Sequence, residues 1–451
     1  MAEEMQETLQ DEGSRRESYR ERIKRFPNVM EESFKKTKED WSSFYKKVEN
    51  SLNKDISFGL EDEIRQKNVQ VYILWQMKDK SKAEELASEV REKKPDNLVA
   101  LTSLAFIHLN NGNIPEVRNL LDDLSNLEER ENFSLIEAEG KRNVAYCLAT
   151  ISFEDHERAV ELYKESLNVC PDDYLCMFSI ALLQYRCLRK NIDKEKRCEN
   201  IKESIQYLEK IQCAFRQHNN KALMGRTLAL IGLFQLRPYN FHSQVAEEYF
   251  QRALDISPDD PYVLEKSGNH YILSKQLEKA RKVLEKAIEK KATPYSHHQL
   301  GLLYLRDENP TYTYVPVNKQ FSKETNEFAK FLKPPQNIPD RERNELINKA
   351  EYHFQQALEL SYRYSPALYD IIILYMSLKE YDNARKYCER FKADNIMQDT
   401  TPFFETQDEC SKEFYRKYYC LCNGCGPETN VEMTSEHSKD DVITNFHFDI
   451  F

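Results

Sequence analysis

Small residues recur in this chain at an interval of 34 positions, each within a segment predicted to be helical. The interval separates Ala83 from Val117, Ala246 from Ala280 and Ala350 from Ala384. Within these segments a bulky side chain such as Phe250 or Leu284 follows the small residue four positions later. Small residues let two helices approach closely, and a large residue fills the space opposite, so interval and residue type share one cause. The pattern predicts stacked pairs of helices, each packing only on its neighbours.

The clearest unit lies between residues 261 and 305. Gly268 and Tyr271 fall on one predicted helix, and Ala280, Leu284 and Ala287 fall on the next. This order of small and large residues, at a period of 34, is the signature of a tetratricopeptide repeat. We therefore predict an all-α fold, a tetratricopeptide-repeat helical solenoid interrupted by two insertions.

Length and composition agree with this fold. A chain of 451 residues is too long for one ordinary core but normal for a solenoid, and 10 glycines and 16 prolines leave most of it free to be helical. The formal net charge of −11 predicts a surface that repels polyanions, so a nucleic-acid site would have to be a local basic patch. The polar start, the absence of long apolar runs and 11 scattered cysteines predict a cytoplasmic protein with no membrane association.

Three regions are expected. Residues 1–65 form an N-terminal helical segment that covers the first repeat, residues 66–395 form the solenoid, and residues 396–451 form a partly disordered tail. The solenoid carries a long helical insertion at 190–217 and a loop insertion at 306–343. Four prolines between Pro316 and Pro339 forbid a continuous helix in the second insertion.

Each repeat is a pair of helices, and in a stack of such pairs the first helix of each pair lines the concave side of the solenoid. The fifth, ninth and twelfth residues of a helix share one face. Counted from the start of each first helix, the residues at the fifth position are Thr102, Phe178, Glu265, His298 and Tyr369. Aromatic residues with a few cations, here Arg186 and His298, suit a peptide or an unpaired nucleotide end through stacking and charge-assisted hydrogen bonds. The alternative is that these residues only pack inside the superhelix.

Three local strings carry a resemblance to a known family. They are NVCPDDYLCMFSIALLQYRCLR, which contains Tyr185-Arg186, TPYSHHQLGLLYLR, which contains His298-Gln299, and NKAEYHFQQALE, which contains Tyr352. Together with the order of units and the two insertions, they make the chain resemble the interferon-induced proteins with tetratricopeptide repeats. The resemblance covers roughly residues 68–395.

The resemblance implies a function and a set of site residues. In family members that bind RNA, the arginine and the His-Gln pair line a basic tunnel that holds the 5′ end of foreign single-stranded RNA. It therefore implies an antiviral innate-immune effector that binds viral single-stranded RNA, and not DNA, in a concave channel. The implied RNA-binding residues are Arg186, Tyr185, His298, Gln299, Tyr146, Phe178 and Tyr352. The alternative is a scaffold of the same family that binds sister proteins or signalling components without RNA.

Two positions depart from the family pattern. Thr150 stands where the family has a lysine near the phosphates, and Glu265 stands where it has an arginine that faces the tunnel. Loss of one charged hydrogen bond costs about 1–3 kcal/mol. These departures and the net charge favour the scaffold, whereas Tyr185-Arg186 and His298-Gln299 favour RNA. Glu265 is expected to face the channel.

Other kinds of site have little support in the sequence. Cysteines near the C-terminus could ligate zinc, but they lack the paired spacing of a structural zinc site, and free thiols are expected instead. These are Cys410, Cys420, Cys422 and Cys425. Phosphate-binding loops, nucleophile elbows and paired metal-binding histidines are missing from the sequence. We therefore expect no enzyme activity, no cofactor and no metal.

Overall fold

The computed structural model describes residues 14–30, 60–188, 194–218, 220–236, 244–306, 340–361, 364–378 and 382–387, with positions 41, 42, 44, 45, 48 and 380. All regular elements in these ranges are helices, which confirms the predicted all-α tetratricopeptide-repeat solenoid. No helix in the described ranges is long and apolar enough to span a lipid bilayer. Residues 396–451, including the four C-terminal cysteines, lie outside these ranges.

The helices are numbered in chain order. They are α1 (14–24), α2 (Leu60–Gln76), α3 (Lys80–Lys93), α4 (Leu98–Asn111), α5 (Ile114–Glu128), α6 (Phe133–Ile151), α7 (His156–Val169), α8 (Tyr174–Cys187), α9 (Lys194–His218), α10 (Lys221–Gln235), α11 (Gln244–Ile256), α12 (Pro261–Leu273), α13 (Leu277–Lys290), α14 (Pro294–Arg306), α15 (Asp340–Leu360) and α16 (Ser365–Ser377).

The chain divides into two compact units, residues 1–234 and 235–451. In the first unit consecutive helices pack in series from α2 to α5 and again from α6 to α9, and the first helices α2, α4 and α6 contact one another. In the second unit helices α11 to α16 pack in series, and the first helix α14 also contacts α12 and α16. First helices therefore form a layer in each unit, and in the first unit α2 contacts not only α4 but also α6, which lies two helix pairs further along the chain.

Polar caps set where the first helices begin. Asn97 accepts a hydrogen bond from the backbone N–H of Ala100 at the start of α4, at 2.9 Å. Asp173 does the same at α8 and Asp260 at α12. Each cap satisfies a backbone N–H that the helix leaves without a partner.

Small-to-large packing explains the interval of 34 residues. Leu284 and Phe354 are fully buried on the second helices α13 and α15. A Cβ added to Gly268 would lie 2.7 Å from Leu284 Cδ2, and one added to Gly301 would lie 2.7 Å from Phe354 Cε1. Each glycine on a first helix therefore makes room for the bulky residue of the following second helix, and the pair recurs with the repeat.

The N-terminal segment 14–30 lies on α4, α5 and α6. Thr102 donates its hydroxyl to the carbonyl of Pro27 at 3.1 Å, and Arg25 pairs with Glu128 at 2.8 Å. A Cβ added to Gly140 would lie 2.9 Å from the Pro27 ring. Thr102, a predicted channel residue, is therefore fully buried beneath this segment.

The two predicted insertions differ in how much of them is described. Helix α9, Lys194–His218, occupies most of the first insertion. Residues 307–339 of the second insertion lie outside the described ranges, and α15 already begins at Asp340. Residues 340–343 are thus helical, although the sequence prediction placed them in the loop. Pro339 is the last proline of the segment, so nothing beyond it interrupts a helix.

Candidate nucleic-acid interface

In the first unit, an ion pair aligns the two helices that carry the predicted site residues. Arg142 of α6 pairs with Asp173, the cap of α8. Tyr146 lies about 6 Å further along α6, and Phe178 lies about 7.5 Å further along α8, at 1.5 Å of rise per residue. Each of these two aromatic residues therefore lies between one and two turns beyond the ion pair on its own helix.

The aromatic face continues along α8 to α10. Phe178 and Tyr185 are seven residues apart and so share one side of α8. The Tyr185 ring meets the Phe234 ring edge-on, with centroids 5.2 Å apart. Phe178 is buried, whereas Tyr146, Tyr185 and Arg186 are half-buried. Phe178, Tyr185 and Phe234 thus form one side of α8 and α10, which we call the aromatic face; Arg186 follows Tyr185 at its edge, about 100° further around α8, and Tyr146 lies on α6, the preceding first helix.

Helix α9 supports α8 immediately before Tyr185-Arg186. Gln184 donates its side-chain amide to Glu203 Oε2 at 2.6 Å and accepts from the Ser204 hydroxyl at 2.6 Å. Lys164 of α7 pairs with the same Glu203 oxygen at 2.7 Å. The sequence patterns do not predict this network. Its only signal was a glutamine in an otherwise apolar helix, LCMFSIALLQ.

In the second unit, the His298-Gln299 pair is packed inside the helical layer. The side chains of His298 and Gln299 are 1 % and 6 % exposed. His298 Nε2 lies 2.6 Å from Asp370 Oδ2, and its ring contacts Phe354, with centroids 5.8 Å apart. The Gln299 amide lies 3.4 Å from His298 Nδ1. The pair therefore joins α14 to α15 and α16 and presents little surface to a ligand.

Tyr352 lies on a different side of α15 from the contact with His298. It is 55 % exposed, whereas Phe354 is fully buried against the His298 ring. Residues two positions apart on a helix point about 200° apart. The structure therefore does not bring Tyr352 next to the His298-Gln299 pair.

Glu265 is buried, although the sequence predicted that it faces the channel. It is 2 % exposed and accepts a hydrogen bond from the Thr293 hydroxyl. Burial raises the pKa of its carboxyl, while the adjacent Lys266 acts in the opposite direction. The fifth place of α12 meets the start of α14, where Thr293 supplies a donor, so this carboxyl does not repel a phosphate in an open channel.

Lys266 is a buried cation between two tyrosines. It is 3 % exposed, and its Nζ lies 4.8 Å from the Tyr295 ring centroid and 5.3 Å from that of Tyr262. Tyrosine rings attract a cation over their faces, and this attraction strengthens where water is excluded. The positive charge of Lys266 is therefore held inside the second unit.

Metal-binding geometry is absent from the described ranges: they hold no group of three or more His, Cys, Asp or Glu residues placed to bind an ion. His297 and His298 point to different neighbours, His353 and Asp370 respectively. Adjacent residues on a helix face different directions.

Comparisons with known proteins show what the fold is similar to. The sequence matches no protein-family profile. The human IFIT1 dimer solved with PPP-AAAA, and the same dimer with m7Gppp-AAAA, each match 89 % of this chain and 80 % of their own, at 18 % identity and a TM-score of 0.58. A monomeric mutant of IFIT1 with Gppp-AAAA matches 90 % of this chain and 87 % of its own, at 17 % identity and a TM-score of 0.60. At this identity the likeness shows the fold alone, a tetratricopeptide-repeat solenoid like that of IFIT1.

Proposed function

We propose that this chain binds the 5′ end of single-stranded RNA on the aromatic face of its first unit. The observation that carries the proposal is the aromatic face of α8, where Phe178 and Tyr185 share one side and Tyr185 meets Phe234, with Arg186 at its edge. The fold likeness supports it, because the similar IFIT1 structures were solved with short capped or triphosphorylated RNA. The biological role that fits is a non-enzymatic antiviral effector in the cytoplasm, of the interferon-induced type.

The chemistry of the face suits an unpaired strand. Stacking of a base on an aromatic side chain contributes about 1–3 kcal/mol and tolerates any base. Arg186 carries a guanidinium group, whose planar geometry matches a phosphate. Because the whole chain carries a net charge of −11, attraction has to arise close to this face and not from the general surface.

Arg186→Glu is the first test of the proposal. We expect affinity for 5′-triphosphorylated single-stranded RNA to fall roughly ten-fold to hundred-fold, because a phosphate contact is lost and a like charge replaces it. The dependence of log affinity on log salt should become shallower by about one unit. Filter binding over a range of salt concentrations measures both quantities.

Arg158→Glu is the matched control for this prediction. Arg158 lies on the second helix α7, pairs with Glu161 at 3.1 Å and is 49 % exposed, and its replacement changes the net charge by the same amount. This variant should bind RNA nearly as well as the wild type. Equal affinity of the Arg186 and Arg158 variants, or a lowered melting temperature for Arg186→Glu alone, would contradict a role of Arg186 in binding.

A protein scaffold is the second candidate function. The burial of His298 and Gln299 favours it, because the family residues implied for RNA binding are engaged inside the second unit. Its partners would be other tetratricopeptide-repeat proteins or signalling components. Purifying the chain from infected cells and sequencing the 5′ ends of bound RNA separates the two functions. Recovery of partner proteins without RNA, unchanged by Arg186→Glu, would support the scaffold.

A further inference from the structure

Two imidazoles face each other between α14 and α15. His297 Nδ1 lies 2.9 Å from His353 Nδ1, and the ring centroids are 5.1 Å apart. A hydrogen bond between two Nδ1 atoms needs one proton, which one ring donates and the other accepts with its lone pair. If both Nδ1 atoms carried a proton, as they must when both rings are charged, two N–H groups would face each other at this distance with no acceptor between them. The contact is therefore compatible with at most one charged ring.

The groups packed around His297 and His353 oppose a positive charge on both rings. The His353 ring stacks on Tyr304 with an interplanar angle of 14°, and Arg281 and Lys349 lie over the same tyrosine at 5.5 Å and 5.7 Å from its centroid. Three carboxylates on the packed helices are already engaged: Glu278 with Arg281, Glu345 with Lys349, and Glu285 with the Tyr304 hydroxyl. Glu351 accepts from Tyr375 of α16, and Asp370 of α16 contacts His298. Glu359 attracts a proton toward His297, but burial outweighs it.

The direction of the titration follows from this burial. Burial lowers the pKa of His297, and burial together with the neighbouring His297 lowers the pKa of His353 to about 4. An unfolded or separated histidine keeps its ordinary value of 6.5. The separated state therefore binds more protons between these two values. Stability from the contact is complete above pH 6.5 and is lost as the pH falls from 6.5 toward 4.

We propose that the His297–His353 contact is an acid-sensitive joint between α14 and α15, closed by one shared proton and opened by a second. The joint lies beside His298, whose ring contacts Phe354 of α15, so its opening loosens the same two helices that this contact holds together. A fall in the pKa of His353 from 6.5 to about 4 means that the population in which α14 and α15 are separated should rise about 30-fold between about pH 7.5 and about pH 5.

His353→Gln tests the joint in the full chain. Glutamine keeps an amide within reach of His297 but does not titrate. Hydrogen exchange followed by mass spectrometry, corrected for the intrinsic effect of pH, reports opening of α14 and α15 separately from α4 of the first unit. We expect wild-type peptides from α14 and α15 to open on acidification and those of His353→Gln to open much less. His108→Gln, in the first unit at 3.9 Å from Glu84, removes another histidine and should behave as the wild type does.

Two results would overturn the joint. One is the same acid-induced opening of α14 and α15 in His353→Gln and in the wild type. The other comes from the wild-type chain itself and does not depend on any variant folding. Exchange of the imidazole C2 hydrogen measures the pKa of each histidine, and values near 6.5 for both His297 and His353 would exclude the mechanism.

Discussion

Glu265→Arg is expected to destabilise the second unit by roughly 3–5 kcal/mol, the cost of leaving an uncompensated charge in a protein interior. The carboxyl is 2 % exposed and accepts the Thr293 hydroxyl, and the buried cation Lys266 is its neighbour in the chain. Arginine is longer, cannot accept that hydrogen bond and places a second positive charge beside Lys266. Urea or thermal unfolding of the variant measures the loss.

The same variant also distinguishes between two placements of the Glu265 carboxyl, buried in the protein or facing the channel. If Glu265 lined an open channel, arginine there would raise affinity for single-stranded RNA and leave folding intact. Because the side chain is buried, we expect lost stability and no gain in RNA affinity. A folded Glu265→Arg variant with the wild-type melting temperature would show that the carboxyl lies at the surface.

Glu265→Gln is the isosteric counterpart, and its expected effect depends on pH. Burial raises the pKa of the Glu265 carboxyl above its ordinary value of 4.5, so the folded state holds a proton that the unfolded state has released. The contribution of this group to stability is complete below pH 4.5 and is lost as the pH rises through the folded pKa. Glutamine does not titrate, so the variant does not lose this stability as the pH rises. The variant should therefore gain stability relative to the wild type as pH rises, and parallel stability–pH curves would contradict this.

Phe354→Ala is expected to cost about 3–5 kcal/mol, as for other fully buried phenylalanines. Phe354 has no exposed surface, contacts the His298 ring and fills the space left by Gly301. Its removal leaves a cavity between α14 and α15 that the glycine cannot fill. The loss should be visible as a lower midpoint of denaturant unfolding of the second unit.

A double-mutant cycle with Gly301 tests whether the glycine is there to admit this ring. In the wild type, Gly301→Ala would place a methyl group 2.7 Å from Phe354 Cε1, and such overpacking costs about 1–3 kcal/mol. With Phe354→Ala the ring is gone, and the higher helix propensity of alanine should make Gly301→Ala neutral or stabilising. Additive effects of the two changes would show that the ring and the glycine are not coupled.

The candidate site shows what helical periodicity in the sequence can and cannot predict. The positions of Phe178 and Tyr185 on one face follow from their spacing alone, and in the structure Tyr185 meets Phe234 of α10 on that face. The same rule placed Thr102 and His298 on the open side, yet both are buried. Periodicity tells which residues share a side of a helix, but not whether another element covers that side.

The sequence by itself determined the fold class, because the interval of 34 residues and the alternation of small and large residues require helix pairs that stack on their neighbours. It also determined Gly268 and Leu284 as a small and a large packing position, and the structure places them against each other. Only the tertiary structure decided that segment 14–30 covers Thr102, that Asp370 engages His298 and that Glu265 is buried with Thr293. Each of these depends on residues between 28 and 75 positions apart, and contacts at such separations are set by how helices meet in space and not by the pattern along any one of them.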